Sequence, residues 1–456
     1  MQRVFEEVGS LDKRCYDTFG LTEDILMEHA AEGMAKYIRS NFTNNASVII
    51  VVGSGNNGAD GIALARLLHG DFQVQLLHAK EPKSPMAKLQ KKRADALGVA
   101  ETTELFTCDI IVEAIVGTGF SGTFNNELSE LIKTLNKNSA YKIACDIPSP
   151  GFKAQRTFTM GALKKALYLD TIKDFTGEIE VIDLGIARSL YEKESNWHLL
   201  ELQDSKLPSR NKEDSHKGSY GHLGVISGEK FGAGVLCAMA AMRFGVGLTT
   251  LVGYEKEHFL HIPHSLMYAH KLPQNITALA IGMGLGSEFS AEEIKAFFEH
   301  KLPLLVDADL FHKSVILDIL QRKDVVLTPH PKEFVSLLHQ TQLADISIQT
   351  LQNNRFQYVE LFCKHYPDVT LLLKGANVLI GQKETFFINP HGSAKLAKGG
   401  SGDVLSGLIA SLLAQGYSPL EAAINGSLAH TKLAINYKDA DFSLTPDDLI
   451  AGIGKL

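Results

Sequence analysis

The chain has 456 residues, 45% of them apolar and 21% charged, an ordinary globular composition that excludes a disordered chain and suggests two domains. A formal net charge of −7 gives no general attraction to nucleic acid or anionic lipid, and the most apolar segment, 231–242, is about half the length of a membrane span. Five scattered cysteines (Cys15, Cys108, Cys145, Cys237, Cys363) with no Cys-x-x-Cys pair exclude a zinc cluster and a disulfide framework, and a reducing cytoplasm is expected.

Residues 1–7 carry two acids where a signal peptide would place its apolar stretch, so the start is expected to be mature protein. Short β-branched runs then alternate with helical stretches. The first is Val48-Ile49-Ile50-Val51-Val52, followed by a helix from about Asp60. Runs at 74–77, 109–112 and 142–145 follow, the pattern of βαβ units in a mostly parallel sheet. A polar, charge-rich stretch at 201–219 reads as a linker, with a boundary near Ser205. A second series of strands, at 222–226, 278–281, 304–306, 324–327 and 370–373, predicts another α/β domain.

Gly53-Ser54-Gly55-Asn56-Asn57-Gly58-Ala59-Asp60 follows the first strand and opens a helix, so free amides at the helix start can face an anion. Gly53, Gly55 and Gly58 match a dinucleotide fingerprint, with Glu81 near the distance of its ribose-binding acid. Two features point elsewhere. Asn56 and Asn57 supply carbonyl oxygens suited to a hard cation, and Asp60 places a carboxylate where a pyrophosphate would be repelled. Glu113, the loop Gly117-Thr118-Gly119-Phe120-Ser121-Gly122, and Asp146 with Ser149 each stand just past a predicted strand, where ligand crevices form in open α/β sheets. Asp146 is a candidate acid or base; Glu113 and Ser149 are candidate oxygen ligands, or any one of these is a turn residue satisfying loop amides.

These segments resemble the NAD(P)H-hydrate epimerase domain, whose patterns are similar to G-N-N-G-G-D, D-x-x-x-G-x-G and D-I-P-S-G. The resemblance covers most of residues 1–205. It implies a Rossmann-like three-layer domain that interconverts the R and S forms of hydrated NADH or NADPH with one potassium ion. It assigns Asn57, Glu113 and Ser149 to the cation, and Asn56, Asn57, Gly58, Ala59, Asp60, Gly117, Thr118, Gly119, Phe120, Ser121, Gly122, Thr123 and Asp146 to the hydrate. Ala59, Ser54 and Glu113 stand where that family has glycine, proline and aspartate, and Pro150 is an added residue.

In the second half, Lys398-Gly399-Gly400-Ser401-Gly402-Asp403 precedes Val404, Leu405, Leu408, Ile409, Leu412 and Leu413, one apolar helix face ending at Gly416. Small residues at a helix start let amides approach a phosphoryl group, and the positive helix end stabilises its charge. Asp403 in the first turn is a candidate general base, with Ser401 available as the cap. Lys374 after a strand can meet phosphates or sit at a sheet edge, and His330, between two prolines, can aim at a ligand or be structural. Asp307 and Asp309 are potential magnesium or turn ligands.

With His216-Lys217-Gly218, Gly232-Ala233-Gly234 and Gly282-Met283-Gly284-Leu285-Gly286, these marks are similar in content and order to the ADP- or ATP-dependent NAD(P)H-hydrate dehydratase domain, a relative of ribokinase-like kinases. The resemblance covers most of residues 206–456 and implies a ribokinase-like α/β domain. It assigns Lys374, Gly375, Ala376, Asn377 and Val378, together with Ser393, Ala394, Lys395, Leu396, Ala397, Lys398, Gly399, Gly400, Ser401 and Gly402, to the adenine nucleotide. Ala233, Gly284, His330 and Asp403 are assigned to the hydrate. Magnesium is expected with the nucleotide, small molecules as the only substrates, and a homo-oligomer as the assembly. A small-molecule kinase that leaves a stable phosphorylated product, or a non-catalytic NAD-binding protein, is the competing reading.

Overall fold

The computed structural model describes residues 1–120, 122–253 and 262–456. It divides into two compact units, Gln2–Ser195 and Asn196–Leu456 together with Met1. The division falls earlier than the boundary expected at 205/206. The strand Trp197–Leu199 is the reason: it pairs in parallel with Thr385–Asn389 and so belongs to the second sheet.

The first unit is built on a parallel sheet in the spatial order Ala100–Thr102, Gln73–His78, Ser47–Val52, Ile110–Ala114, Tyr141–Cys145, Arg156–Met160, Glu178–Ile182. Side chains alternate across its faces. Val48, Ile50 and Val52 pack with Leu26, Met34 and Ile62 on one side, while Ile49, Val51 and Ile111 pack with Ile132 and Leu135 on the other. The unit is therefore three-layered. Strand order reverses between Ser47–Val52 and Ile110–Ala114, which opens a crevice beyond their C-terminal ends. The helix there spans Asn56–Leu68, so the Asn56-Asn57 pair lies in its first turn.

In the second unit the parallel order is Met267–Ala269, Leu248–Val252, His222–Ile226, Ala278–Ile281, Leu304–Val306, Val325–Leu327, Val369–Leu373, continued by the antiparallel strands Val378–Gln382 and Thr385–Asn389. Strand order reverses between His222–Ile226 and Ala278–Ile281. The helices Phe231–Arg243 and Ser401–Ala414 pack closely, because a side chain at Gly407 would strike the Cys237 carbonyl and Ala240. Among the described residues no helix is long and apolar enough to cross a membrane.

Candidate active sites in two α/β crevices

In the first crevice, backbone contacts explain the glycines. A side chain at Gly58 would overlap the Gly53 carbonyl, and one at Gly53 the Ile115 carbonyl, so the helix start sits directly on the strand ends. Asn57 donates from Nδ2 to the Val116 carbonyl at 2.9 Å, while its Oδ1 is buried with no hydrogen-bond partner. Glu113 is fully buried, accepting from Ile115 N at 2.7 Å, Ser149 Oγ at 2.6 Å and Ser149 N at 2.9 Å. Burial pushes the Glu113 carboxyl up to about 7. An orphaned amide oxygen, a buried carboxylate and a hydroxyl form an all-oxygen donor set that fits a hard monovalent cation.

Asp146 closes the strand Tyr141–Cys145 with φ of +69°, a left-handed conformation uncommon for a residue with a side chain. Its Oδ2 faces the loop after Ile110–Ala114, 3.4 Å from where a Cβ on Gly117 would stand. The loop turns at Phe120, whose N donates to the Gly117 carbonyl, and Phe120 packs on Phe124 with ring centroids 5.0 Å apart. Thr118, Gly119, Gly122 and Thr123 are exposed on it; Ser121 lies outside the described residues.

A cleft of about 120 Å³ is lined by Asp12, Tyr16, Glu23, Asn56, Asp60 and Met160 among others. Burial, then the Asp146 and Asp12 carboxylates, raise Asp60 well above the ordinary carboxylate value, which favours its protonated form. Asp12, which accepts from Tyr191 Oη at 2.6 Å, is raised mainly by burial. Asn56 donates from Nδ2 to Glu23 at 2.5 Å. Ala59 is buried against Met27 and Ala87, so its methyl points into packing rather than the cleft. Glu81 stands exposed on the loop after Gln73–His78.

In the second unit, Gly282, Gly284 and Gly286 all have φ between +60° and +115°, which explains their spacing. A side chain on Gly284 would meet Ala233, so these two expected hydrate contacts lie side by side. Gly400, at φ +88°, precedes the helix Ser401–Ala414, and no side chain caps that helix among the described residues. The cap expected of Ser401 is not formed: its hydroxyl instead meets Nε2 of buried His430 at 3.1 Å. Burial lowers His430 to about 4, so the ring stays neutral at that contact. Ser401 N donates to the Lys398 carbonyl at 3.2 Å, and the Gly402 and Asp403 amides remain open to an anion.

Lys374 stands across from these amides, with Nζ 3.8 Å from the position of a Cβ on Gly402. The ammonium is held by Asp307 Oδ1 at 2.8 Å, and Asp307 Oδ2 accepts from Ser406 Oγ at 2.7 Å. Asp307 also accepts from Ala308 N at 2.9 Å, while Asp309 accepts from Gly286 N at 2.9 Å. In the structure Asp307 anchors the lysine and Asp309 braces the loop at Gly286. Burial, then Asp307 and Asp309, against the opposing pull of Lys374, push Asp403 up to about 7. His330 accepts from the Lys332 and Glu333 amides at 3.1 and 3.2 Å as the cap of Pro331–Gln340, so it has a structural role while its ring stays half exposed. Gly375 and Ala376 are exposed beyond Val369–Leu373, whereas Asn377 and Val378 are buried. Residues 393–398 form a partly exposed turn before Gly399, with Ser393 Oγ accepting from Lys395 N.

A family model described as NAD(P)H-hydrate dehydratase matches residues 223–454, and one described as YjeF-related protein N-terminus matches 23–167. The bifunctional NAD(P)H-hydrate repair enzyme of Helicobacter pylori is 41% identical, with 100% of both chains covered. The chain belongs to the bifunctional NAD(P)H-hydrate repair enzyme family. Another family member, from Coxiella burnetii, is 32% identical over 91% of this chain and 90% of its own. The solved ADP/ATP-dependent NAD(P)H-hydrate dehydratase of Bacillus subtilis, co-crystallized with ATP/Mg2+, aligns with 56% of this chain and 94% of its own at 26% identity and a TM-score of 0.47. Sequence reasoning missed Lys164, buried beside Asp146, and His430 beneath the glycine loop. Neither falls inside a motif.

Proposed function

We propose that the chain repairs hydrated NADH and NADPH, the first unit interconverting the R and S epimers and the second dehydrating the S form at the expense of ADP or ATP. The observation that carries the reading is Asp403, a half-buried carboxyl near 7 in the first turn of an uncapped helix, facing a lysine held by Asp307. Such a group is ionised in part at neutral pH and basic enough to take a hydroxyl proton.

Hydroxide is a poor leaving group from the reduced ring and phosphate a good one. Asp403 accepts the ring hydroxyl's proton as that oxygen bonds to the terminal phosphorus of the nucleotide, and the phosphorus–bridging oxygen bond breaks to release AMP from ADP. The open amides of Gly402 and Asp403, together with Lys374, stabilise the charge on the transferring group. The ring carbon–oxygen bond then breaks as phosphate leaves, and the neighbouring ring carbon gives up a proton to the departing phosphate, restoring the dihydronicotinamide. Residues 374–378 and 393–402 surround the nucleotide, while Ala233, Gly284 and His330 border the hydrate. With Asp307 taken by Lys374, magnesium would be carried by the nucleotide phosphates.

In the first unit, Asp146 takes the ring hydroxyl's proton as the carbon–nitrogen bond opens to an aldehyde, and Asp60 protonates the nitrogen. Closure on the other face returns both protons, and nothing is oxidised or reduced. Asn57, Glu113 and Ser149 would hold potassium, which when bound supplies positive charge to an acid-lined loop. Family membership supports a homo-oligomer, and five free buried cysteines accord with a cytoplasmic setting.

The test is incubation of the separated hydrate epimers with ADP or ATP, following recovery of dihydronicotinamide absorbance, each epimer and the phosphorus products. Both epimers should disappear, with free phosphate and AMP formed when ADP is supplied. A stable phosphorylated hydrate would identify a kinase instead, and consumption of the S form alone would remove the epimerase from the reading.

A further inference from the structure

We propose that Lys164, a residue outside every recognised motif, is the positioning residue that holds Asp146 as the anionic proton acceptor of the epimerase crevice. The inference rests on the epimerase reading and adds a residue to it.

The Lys164 ammonium is fully buried on the short strand Leu163–Lys164. Its three protons have three acceptors: Asp146 Oδ1 at 2.5 Å, Thr159 Oγ1 at 2.7 Å and the Met160 carbonyl at 3.1 Å. The Met160 amide and Thr159 hydroxyl add longer contacts to Oδ1, at 3.3 and 3.4 Å. All the donors therefore gather on one carboxylate oxygen. Oδ2 is left facing the 117–123 loop, and Met160 itself lines the cleft with Asp60 and Asp12.

Stability does not account for this arrangement. Burying an ammonium costs several kcal/mol, and a buried ion pair is frequently no better for folding than apolar residues of the same volume. What the charge does supply is a distinction between neighbouring carboxyls. Asp60 and Asp12 lie in the same crevice, and Lys164 bonds directly to Asp146 alone of the three. Two acids that must exchange opposite protons with one ring need such a division, one ionised and one protonated. The left-handed backbone at Asp146 is part of the same placement, since Asp146 N donates to the Phe158 carbonyl at 2.7 Å and so ties the residue to the strand that leads to Lys164.

The experiment measures R–S interconversion in the full chain with no nucleotide, so that the second unit is idle. Lys164→Gln keeps an amide donor for Asp146 and removes the charge. It should lower epimerase kcat by roughly 100-fold with KM nearly unchanged, leave ADP-dependent dehydration of the S epimer at the parental rate, and be no worse when combined with Asp146→Asn than Asp146→Asn alone. A kcat close to the parent, or losses that multiply in the double variant, would overturn the proposal. Should Lys164→Gln lose the first unit's thermal transition, Thr159→Val decides: it keeps the charge and removes one anchor, and should lower kcat about fivefold at constant KM. An unchanged kcat there also overturns it. A parental protein that fails to interconvert the epimers would instead refute the epimerase reading itself.

Discussion

Asp403 carries opposed demands. As a base it must be ionised, and as a half-buried group beside Asp307 and Asp309 it resists ionisation. Dehydratase kcat/KM should therefore climb as pH rises through about 7 and level off above it, and Asp403→Asn should cost roughly 1000-fold at every pH while leaving epimerisation intact. A pH–rate profile flat between 5 and 9 would exclude Asp403 as the base. The same group works against folding. Its folded value lies above its ordinary 3.8, so the penalty is absent below about pH 4, grows as pH rises and is complete above about 7. Asp403→Asn should accordingly raise the stability of the second unit by about 1–3 kcal/mol at pH 8 and by nothing near pH 4, read from urea unfolding. Much of this residue-level picture was legible, because the glycines and Asp403 fall within ten positions of one chain. Lys164 and His430 were not: their partners Asp146 and Ser401 are remote in sequence, and a lysine in a two-residue strand has no periodic signature.

The helix Asn56–Leu68 shows what local reading loses among elements. Asn56, Asn57 and Gly58 are poor helix formers, which pushed the expected start to Asp60. Tertiary contact overrides that preference: Gly58 seats on the Gly53 carbonyl, and Gly61 fits against Ala114 and Val52. Ala59, a departure from the resembled pattern, lies on the packed side of the same turn against Met27 and Ala87. Ala59→Gly should therefore lower the stability of the first unit by about 1 kcal/mol, from lost packing and added backbone freedom, with epimerase KM and kcat unaltered. A gain in epimerase activity would mean that the methyl reaches the cleft after all. Strands at the sheet centres were legible as apolar runs. Trp197–Leu199 was not, because three residues carry no alternation and its partner Thr385–Asn389 is far away in sequence, and that is why the domain boundary moved.

Each unit of the whole molecule has its own core. Calorimetry should resolve two transitions, and ADP at about 100 times its Kd should stabilise only the second unit, by about 2.7 kcal/mol. An ADP-dependent shift of both would place nucleotide in the first crevice as well. The cysteines offer a practical consequence. All five are free and buried, so the folded chain presents no thiol to a maleimide. A single cysteine introduced on either unit's surface would then be the sole labelling point of an otherwise native enzyme. Fluorophores could be installed on one unit or the other without first removing any natural sulfur, and uptake of label by the parental chain would report unfolding directly.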